Sequence, residues 1–255
     1  MSRVKKLLIA APLTLVVLAI AGIVTWWFVI RSDASPLSDP KPIPSSLLNL
    51  SATATPTPAI TQTGSTADPT VAASEGQTWM IVSSESEADY YVGETLASIG
   101  VPSTANGKTK DIDGSFHLTA DGTALDTTSR SQFTVDLTTL ASDQSRRDSR
   151  VQQALNTSEF PTATFTATRI SSLDTAAIVD GAKVTFQLNG TLELHGVAKD
   201  VTWTVEATRQ GNALSAIANL DFKFADYNIS PPNIGGFVSV QDHGTLQAVI
   251  IAEKV

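Results

Sequence analysis

The 255-residue chain contains no cysteine. Disulfide bonds, thiolate nucleophiles and cysteine-bound metal sites are therefore excluded. Histidine is also scarce. The chain has three, His117, His195 and His243, and they lie far apart in the sequence. The sequence lacks the H-E-x-x-H pair of zinc enzymes and the D-x-D-x-D-G loop of calcium sites. We therefore expect neither a metal centre nor another cofactor.

A catalytic motif is lacking as well. Asp242 could orient His243 as a base, but no G-x-S-x-G nucleophile motif accompanies the pair. His195 falls in a predicted turn, where stabilising the turn is favoured over acid–base chemistry. His117 has the parity opposite to Phe116 and is expected to point away from the interior. The sequence favours a protein that is not an enzyme, and a hydrolase that uses paired carboxylates is the enzymatic alternative.

Basic residues are outnumbered by acidic ones, 17 to 25, which gives a net charge of −8. Five basic and four acidic residues precede Thr78, so the part from Thr78 onwards has 12 basic and 21 acidic residues and a net charge of −9. This balance argues against nucleic-acid binding. Arg146, Arg147 and Arg150 form a local basic cluster. Their guanidinium groups could bind the phosphate of a ligand's polar head, or could form a solvated face paired with neighbouring aspartates.

The longest apolar run lies near the N-terminus, where Leu7–Ile30 contains no charged residue. At about 1.5 Å per residue this run is roughly 36 Å long, enough to span a hydrocarbon core of about 30 Å. Arg3, Lys5 and Lys6 precede it, which favours a cytoplasmic N-terminus. We predict that residues 1–31 form an uncleaved, single-pass membrane anchor and that the rest of the chain lies outside the cytoplasm. A long signal peptide that is removed is the alternative.

Residues 32–77 are rich in Ser, Thr, Pro, Ala and Gly. Such a composition buries too little apolar surface to offset the entropy of ordering the chain. We predict a disordered linker here. A flexible coil of about 45 residues has an end-to-end distance of roughly 40 Å, so it would hold residues 78–255 near the membrane.

Residues 78–255 show the alternation typical of β-strands. The clearest strand pair is Val184–Val205, where two alternating runs flank a short turn at His195–Asp200. Ser142–Asn156 lacks this alternation and predicts a short helix, whereas Ser98–Lys108, rich in Gly, Pro, Ser and Asn, predicts a loop. The remaining strands are expected within residues 79–94, 112–118, 131–137, 163–170, 214–224 and 246–252.

Three segments of this region are similar to the YceI-like family. Leu194–Lys199, which reads LHGVAK, resembles the family's hairpin turn. Ser142–Phe165 resembles its Arg- and Asp-rich helix and the Phe- and Pro-containing stretch that follows, and Phe237–Asp242 resembles its entry into the last strand. The resemblance covers essentially all of residues 78–255. It implies an all-β fold, an eight-stranded antiparallel lipocalin-like barrel with one short helix, that binds a polyisoprenoid lipid.

Large apolar residues that share one parity are expected to face the barrel interior. Parity does not distinguish a packed core from a tunnel wall, but the resemblance implies that these side chains line a ligand tunnel. The predicted ligand-binding residues are Phe116, Phe133, Val135, Phe165, Phe186, Leu188, Leu192, Leu194, Trp203 and Phe222, with Val205 and Phe224 as further inward residues.

The predicted ligand is a long apolar lipid, such as a polyisoprenoid or an isoprenoid quinone, held noncovalently for transport or storage. Each methylene exposed to water costs about 0.8 kcal/mol, so such a chain crosses an aqueous compartment only when enclosed. The alternative is a filled barrel that acts as a cell-envelope interaction or stress-related module without lipid. The sequence is also compatible with a homodimer.

Overall fold

The fold is that of a computed structural model, which describes residues 40–48, 76–96, 101–231 and 238–255. The predicted anchor, residues 1–31, and most of the predicted linker lie outside the described residues. Within the described ranges, no helix is long and apolar enough to cross a membrane.

Two helices and eleven strands make up the described part of the chain. The helices are α1, Ser45–Leu48, and α2, Ser145–Ala154. The strands are β1 Gln77–Ile81, β2 Glu87–Leu96, β3 Val101–Thr109, β4 Ile112–Leu118, β5 Gln132–Asp136, β6 Ala141–Ser142, β7 Thr162–Ser171, β8 Lys183–Leu194, β9 Val197–Gln210, β10 Ala213–Lys223 and β11 Val238–Lys254.

The strands form one closed antiparallel barrel. The sheet runs from β1 through β4, β5, β7, β8, β9 and β10 to β11, and β1 pairs with β11 to close it. β2, β3 and β6 extend the sheet beyond β11. Three strands of the barrel are interrupted, so that β1 continues into β2, β3 into β4 and β5 into β6. The barrel therefore has eight strands in all. The prediction of an eight-stranded antiparallel barrel with one short helix is confirmed.

Polar side chains bridge two of these interruptions. Between β1 and β2, the Ser86 hydroxyl accepts the Ile251 N–H (3.0 Å) and lies 2.9 Å from the Val82 carbonyl oxygen, to which it donates. Between β3 and β4, the Thr109 hydroxyl accepts the Asp111 N–H at 3.0 Å. Backbone groups that leave the sheet are therefore satisfied locally, as burial requires.

The β8–β9 hairpin closes on a two-residue turn, shorter than the predicted His195–Asp200 connection. His195 and Gly196 have φ angles of 52° and 71°, the positive values that a type I′ turn requires. The His195 Nδ1–H donates to the Tyr227 carbonyl at 2.9 Å. The Phe160 ring packs against Gly196, where a Cβ would lie 2.6 Å from the ring.

Helix α2 confirms the predicted helix with narrower bounds. The Asp148 carboxylate in its first turn accepts the Ser142 N–H (2.8 Å) and hydroxyl (2.6 Å), which fixes the chain entering the helix. The Gln152 amide donates to the Leu137 carbonyl at 2.9 Å. These bonds hold α2 over one end of the barrel.

The predicted loop at Ser98–Lys108 is wrong, because Val101–Thr109 forms strand β3 and pairs with β2 along its whole length. The glycine that suggested a loop, Gly107, lies opposite Tyr90, and a Cβ on Gly107 would be 2.5 Å from the Tyr90 ring. The glycine therefore provides room for an aromatic ring on the neighbouring strand. Cross-strand packing outweighs the low strand propensity of this segment.

One short piece of the predicted linker lies against the barrel. The Ser215 hydroxyl, on the outer face of β10, donates to the Lys41 carbonyl at 2.5 Å. The Lys41 ammonium donates to the Glu85 carbonyl at 3.2 Å. At Lys41 the chain is therefore attached to the barrel by hydrogen bonds.

Candidate functional site

Within the described residues, the barrel interior has a smaller and a larger cavity. The smaller has a volume of about 140 Å³ and the larger about 440 Å³. Along β11, Ala248, Ile250 and Ala252 line the smaller cavity, whereas Val240 and Leu246 line the larger one. The two cavities therefore follow one another along the barrel.

The smaller cavity is almost entirely apolar. Among the described residues that line it, only Gln77 and Arg209 have an amide or a charge, and both have protein partners. The Gln77 amide donates to the Ala120 carbonyl at 2.7 Å, and the Arg209 Nε lies 3.9 Å from the Asp180 carboxylate. The apolar lining comes from Trp79, Phe116, Leu118, Leu125, Phe133, Ile170, Leu173, Ile178, Val184, Phe186, Leu188, Trp203, Val205, Ala207, Leu214, Ala216, Ala218, Ala248, Ile250 and Ala252.

A layer of buried side chains separates the two cavities. Along their strands, Ile112, Val135, Leu192 and Leu220 each lie between residues of the smaller and the larger cavity, and they line neither. Phe165 completes this layer and is fully buried, with its ring 5.2 Å from that of Phe133 and 5.9 Å from that of Trp203. We call these five residues, Ile112, Val135, Phe165, Leu192 and Leu220, the middle layer.

Gly190 allows the middle layer to close. A Cβ on Gly190 would lie 2.6 Å from Cζ of Phe165 and 2.2 Å from the Thr166 carbonyl oxygen. Only glycine lets the β7 backbone and the Phe165 ring approach β8 this closely. The β7–β8 pairing shifts register between Ala167 and Arg169, directly beside this contact.

The larger cavity lies at the end of the barrel that α2 covers. Its apolar lining comes from Tyr90, Val92, Ala105, Leu137, Leu140, Val151, Ala154, Leu155, Leu194, Phe222, Phe224, Ile229, Val238, Val240 and Leu246. Ser103, Gln144, Glu94 and three arginines add polar groups. A lining of this kind, mostly apolar with a few polar groups, is typical of small-molecule sites, and so is a volume of this size.

Arg146, Arg147 and Arg150, which we call the arginine cluster, project from α2 into the lining of the larger cavity. Arg147 is paired, with its Nη2 3.8 Å from the Glu94 carboxylate and its Nη1 in contact with the Asp143 carboxylate. Arg146 and Arg150 form no ion pair with any residue that the structure describes. They are four residues apart and therefore lie on the same side of the helix.

Burial perturbs two titratable groups of this cavity. It raises the pKa of the Glu94 carboxyl, an effect that the Arg147 guanidinium opposes and the Asp143 carboxylate adds to. Burial also raises the pKa of the Tyr90 phenol to about 12, although Arg147 acts in the opposite direction. Tyr90 is therefore neutral at physiological pH.

The predicted ligand-binding residues lie in three different parts of the barrel interior. Phe116, Phe133, Phe186, Leu188 and Trp203 line the smaller cavity, as does Val205. Leu194 and Phe222 line the larger cavity, as does Phe224. Val135, Phe165 and Leu192 line neither and belong to the middle layer. Their role in ligand binding stays a prediction.

Small residues that the sequence analysis passed over create much of the free space. Ala207 pairs with Ala216, and Ala218 pairs with Ala248, so four alanines on β9, β10 and β11 form one wall of the smaller cavity. The period-two alternation on these strands could have identified them. They were missed because only large apolar residues were selected.

In the part of the chain that the structure describes, the three histidines lie apart and none contacts both a nucleophile and an acid. His243 Nδ1 lies 2.9 Å from the Asp242 carboxylate on an exposed stretch of β11. His117 contacts the hydroxyls of Thr78 and Ser115, each at 3.2 Å, and lines neither cavity. Within the described ranges, no three His, Asp or Glu side chains are grouped closely enough to hold a metal ion.

Comparison with known proteins agrees with this architecture. Residues 79–252 match the model of the YceI-like domain. The proteins named YceI from Escherichia coli O157:H7 and Shigella flexneri are each 32% identical to the chain over 108 residues, which are 42% of this chain and 50% of theirs. The chain thus spans about half the length of the curated relatives it matches.

A solved structure shares the fold. It is described as a polyisoprenoid binding domain from Saccharophagus degradans implicated in plant cell wall breakdown. The alignment has a TM-score of 0.53 and 18% identity, and it covers 69% of this chain and 98% of that one. The family model covers more than half of the chain and overlaps every barrel strand, so the chain belongs to the YceI-like domain family.

Proposed function

We propose that this protein binds a long apolar lipid, of the polyisoprenoid or isoprenoid quinone type, noncovalently inside its barrel. The observation that carries the proposal is the pair of cavities. Side chains alone can fill a barrel of eight strands, but in this barrel they leave free space. The smaller volume is close to that of apolar cavities that hold one benzene-sized guest. The larger is within the usual range for ligand sites.

The resemblance to a polyisoprenoid binding domain supports the same class of ligand. An apolar tail would enter the larger cavity beneath α2, because this cavity has the greater volume. A tail that continued into the smaller cavity would have to displace side chains of the middle layer. The protein carries or stores the lipid and does not convert it.

The proposal includes attachment to a membrane. Leu7–Ile30 is long enough to span the hydrocarbon core as a helix, and the basic residues before it favour a cytoplasmic N-terminus. The barrel would then lie outside the cytoplasm, close to a membrane that supplies its lipid. Intact-mass analysis of the protein from its native membrane should find residues 1–31 still attached.

The test of lipid binding is native mass spectrometry of the full-length protein purified from its own membranes, followed by lipid extraction. We expect an apolar lipid at near-stoichiometric occupancy, recovered chemically unchanged. Protein that is consistently empty, and that also takes up no added polyprenol, would contradict the proposal. That result would favour the filled barrel, for which the tightly packed middle layer is the supporting observation.

A further inference from the structure

The outer face of β2, β10 and β11 is buried, although its side chains point away from the barrel interior. Along β11, Ala248 and Ile250 line the smaller cavity, so Val249 and Ile251 point outward, and both have 0% exposure. The other buried residues of this face are Glu87, Asp89, Tyr91, Ser215, Ile217 and Gln247. We call this set of residues the covered face.

The outer face of β9 shows the contrast. Thr202 and Thr204 alternate there with Trp203 and Val205 of the smaller cavity, and both threonines are exposed. An outward side chain of a barrel strand faces solvent unless other parts of the chain lie over it. The burial of the covered face therefore requires a cover.

Residues 40–48 reach the covered face at Lys41. The Ser215 hydroxyl donates to the Lys41 carbonyl at 2.5 Å, and the Lys41 ammonium donates to the Glu85 carbonyl at 3.2 Å, just before β2. Ser215 pairs with Ile251 across the β10–β11 ladder. The segment therefore lies beside one of the fully buried outward side chains.

The composition of residues 40–48 suits docking. Ile43 and Leu47 are half-buried, whereas Pro42 and Leu48 are exposed, so one side of the segment is turned towards the protein. The segment contains three prolines, which restrict the unbound chain and lower the entropy lost when it is fixed. A short apolar segment of this kind can bind to a sheet surface in its own chain.

Asp89 introduces a titratable group into the covered face. It is 5% exposed, and its buried Oδ1 accepts no hydrogen bond from the described residues. The titratable and polar groups around it are the Glu87 carboxylate and the Tyr91 phenol on β2, the Lys108 ammonium on β3, the Gln247 amide on β11 and the Lys41 ammonium. Burial, followed by Glu87, raises the pKa of Asp89 to about 7, whereas Lys108 and Lys41 lower it.

We propose that the covered face is a docking surface for residues 40–48 of the same chain, and that this docking weakens when Asp89 ionises. A buried carboxylate without a partner is unfavourable, and release of the segment would hydrate it. The docked state therefore binds the Asp89 proton more tightly than the released state. Docking is strongest at low pH and weakens as the pH rises towards the raised pKa of Asp89. Removal of Lys41 on release acts in the opposite direction, but Lys41 has the smallest of the four influences.

Docking would also shorten the connection to the proposed membrane anchor. With residues 40–48 docked, residues 32–39 connect the anchor to the barrel, and eight residues span about 30 Å at full extension. With the segment released, the connection runs through to β1. The distance that the barrel can reach from the membrane would then depend on pH. This consequence rests on the proposed anchor, whereas the docking does not.

The experiment uses the absence of native cysteine, because a single introduced thiol then reports whether a position is covered. Ile251→Cys places the thiol beside Ser215, and Thr204→Cys places it on the exposed outer face of β9 as a reference. The full-length proteins are labelled in a neutral detergent with a methanethiosulfonate reagent. Rates are compared between variants at the same pH, so the titration of the thiol itself cancels.

The first comparison tests the docking. In the Ile251→Cys protein, Ile43→Ser/Leu47→Ser removes the half-buried apolar side chains and should increase the labelling rate about tenfold. The matched control, Pro42→Ser/Leu48→Ser, changes exposed residues of the same segment and should leave the rate within about twofold. The unfolding free energy in urea should fall for the first pair and not for the second. Equal rates and equal unfolding free energies for the two pairs would overturn the proposal.

The second comparison tests Asp89. Asp89→Asn keeps the shape of the side chain but cannot ionise, so it should label more slowly than the protein with Asp89. The ratio of the two rates should grow about tenfold between about pH 5 and about pH 8. Asp226→Asn removes an exposed carboxylate outside the covered face and should give a ratio near one throughout. A ratio that is constant or falls with rising pH for Asp89→Asn would show that Asp89 does not control the docking. None of these measurements involves a lipid, so their outcome is independent of the proposed lipid binding.

Discussion

The two ends of the barrel interior differ in how their charged side chains are paired. At the smaller cavity, the buried indole N–H groups of Trp79 and Trp203 have no hydrogen-bond partner among the described residues, whereas Arg209 lies beside Asp180 and the Gln77 amide is bonded to the Ala120 carbonyl. At the larger cavity, Arg146 and Arg150 have no such partner in the described part of the chain. The larger cavity therefore has unpaired arginines at its edge that are exposed to solvent, whereas the arginine at the smaller cavity lies beside an aspartate.

The two ends also differ in how their space arises. The smaller cavity exists because alanines on β9, β10 and β11 face bulky residues such as Phe186 and Trp203 across the barrel. The larger cavity exists because α2 covers the barrel end without filling it, with Val151 and Leu155 only half-buried. One space is therefore set by side-chain volume and the other by the position of a helix.

A carboxylate placed in each cavity should produce the largest contrast. Leu188 is buried in the wall of the smaller cavity, and Leu188→Asp leaves a charge there without a free cation, so we expect a loss of more than about 4 kcal/mol of unfolding free energy. Val151 lies beside the arginine cluster, and Val151→Asp should cost only about 1–2 kcal/mol. Urea unfolding of both full-length variants at neutral pH measures the difference. Equal losses would show that the two environments do not differ.

The middle layer can be opened to join the two cavities. Leu192→Ala should lower the unfolding free energy by about 3 kcal/mol, because the buried leucine leaves a void. The joined space should accept longer isoprenoid alcohols than the wild type, measured by native mass spectrometry with a series of increasing length. Leu192→Met is the matched control, since it keeps the volume and should cost less than about 1.5 kcal/mol. An unchanged length limit in Leu192→Ala would mean that the layer does not separate the cavities.

Alternation along the sequence was sufficient to predict most of the strands, and the resemblance to the YceI-like family implied that they form a barrel. The Val184–Val205 hairpin and the strands of the second half of the chain follow from one rule, that apolar residues of a strand recur with a period of two. The rule fails at β3, where Gly107 leaves room for the Tyr90 ring on the neighbouring strand. That requirement comes from a residue 17 positions away, which local composition does not contain.

The candidate site was only partly predictable for a related reason. Parity identifies which residues face inward, and most of the predicted ones do line a cavity. It does not say at which height each residue lies in the barrel, so Phe165 and Leu192 could not be assigned to the middle layer in advance. The free volume depends on the sizes of residues that face one another. The four alanines form one wall of the smaller cavity only because β9, β10 and β11 lie side by side.

Filling the smaller cavity should stabilise the protein modestly. Ala218→Leu adds a side chain into existing space, and we expect a gain of about 1 kcal/mol in unfolding free energy. Ala213 is the matched control: it is fully buried but lines neither cavity, so Ala213→Leu should destabilise by about 1–3 kcal/mol. Destabilisation by Ala218→Leu would mean that the smaller space is not available to a side chain.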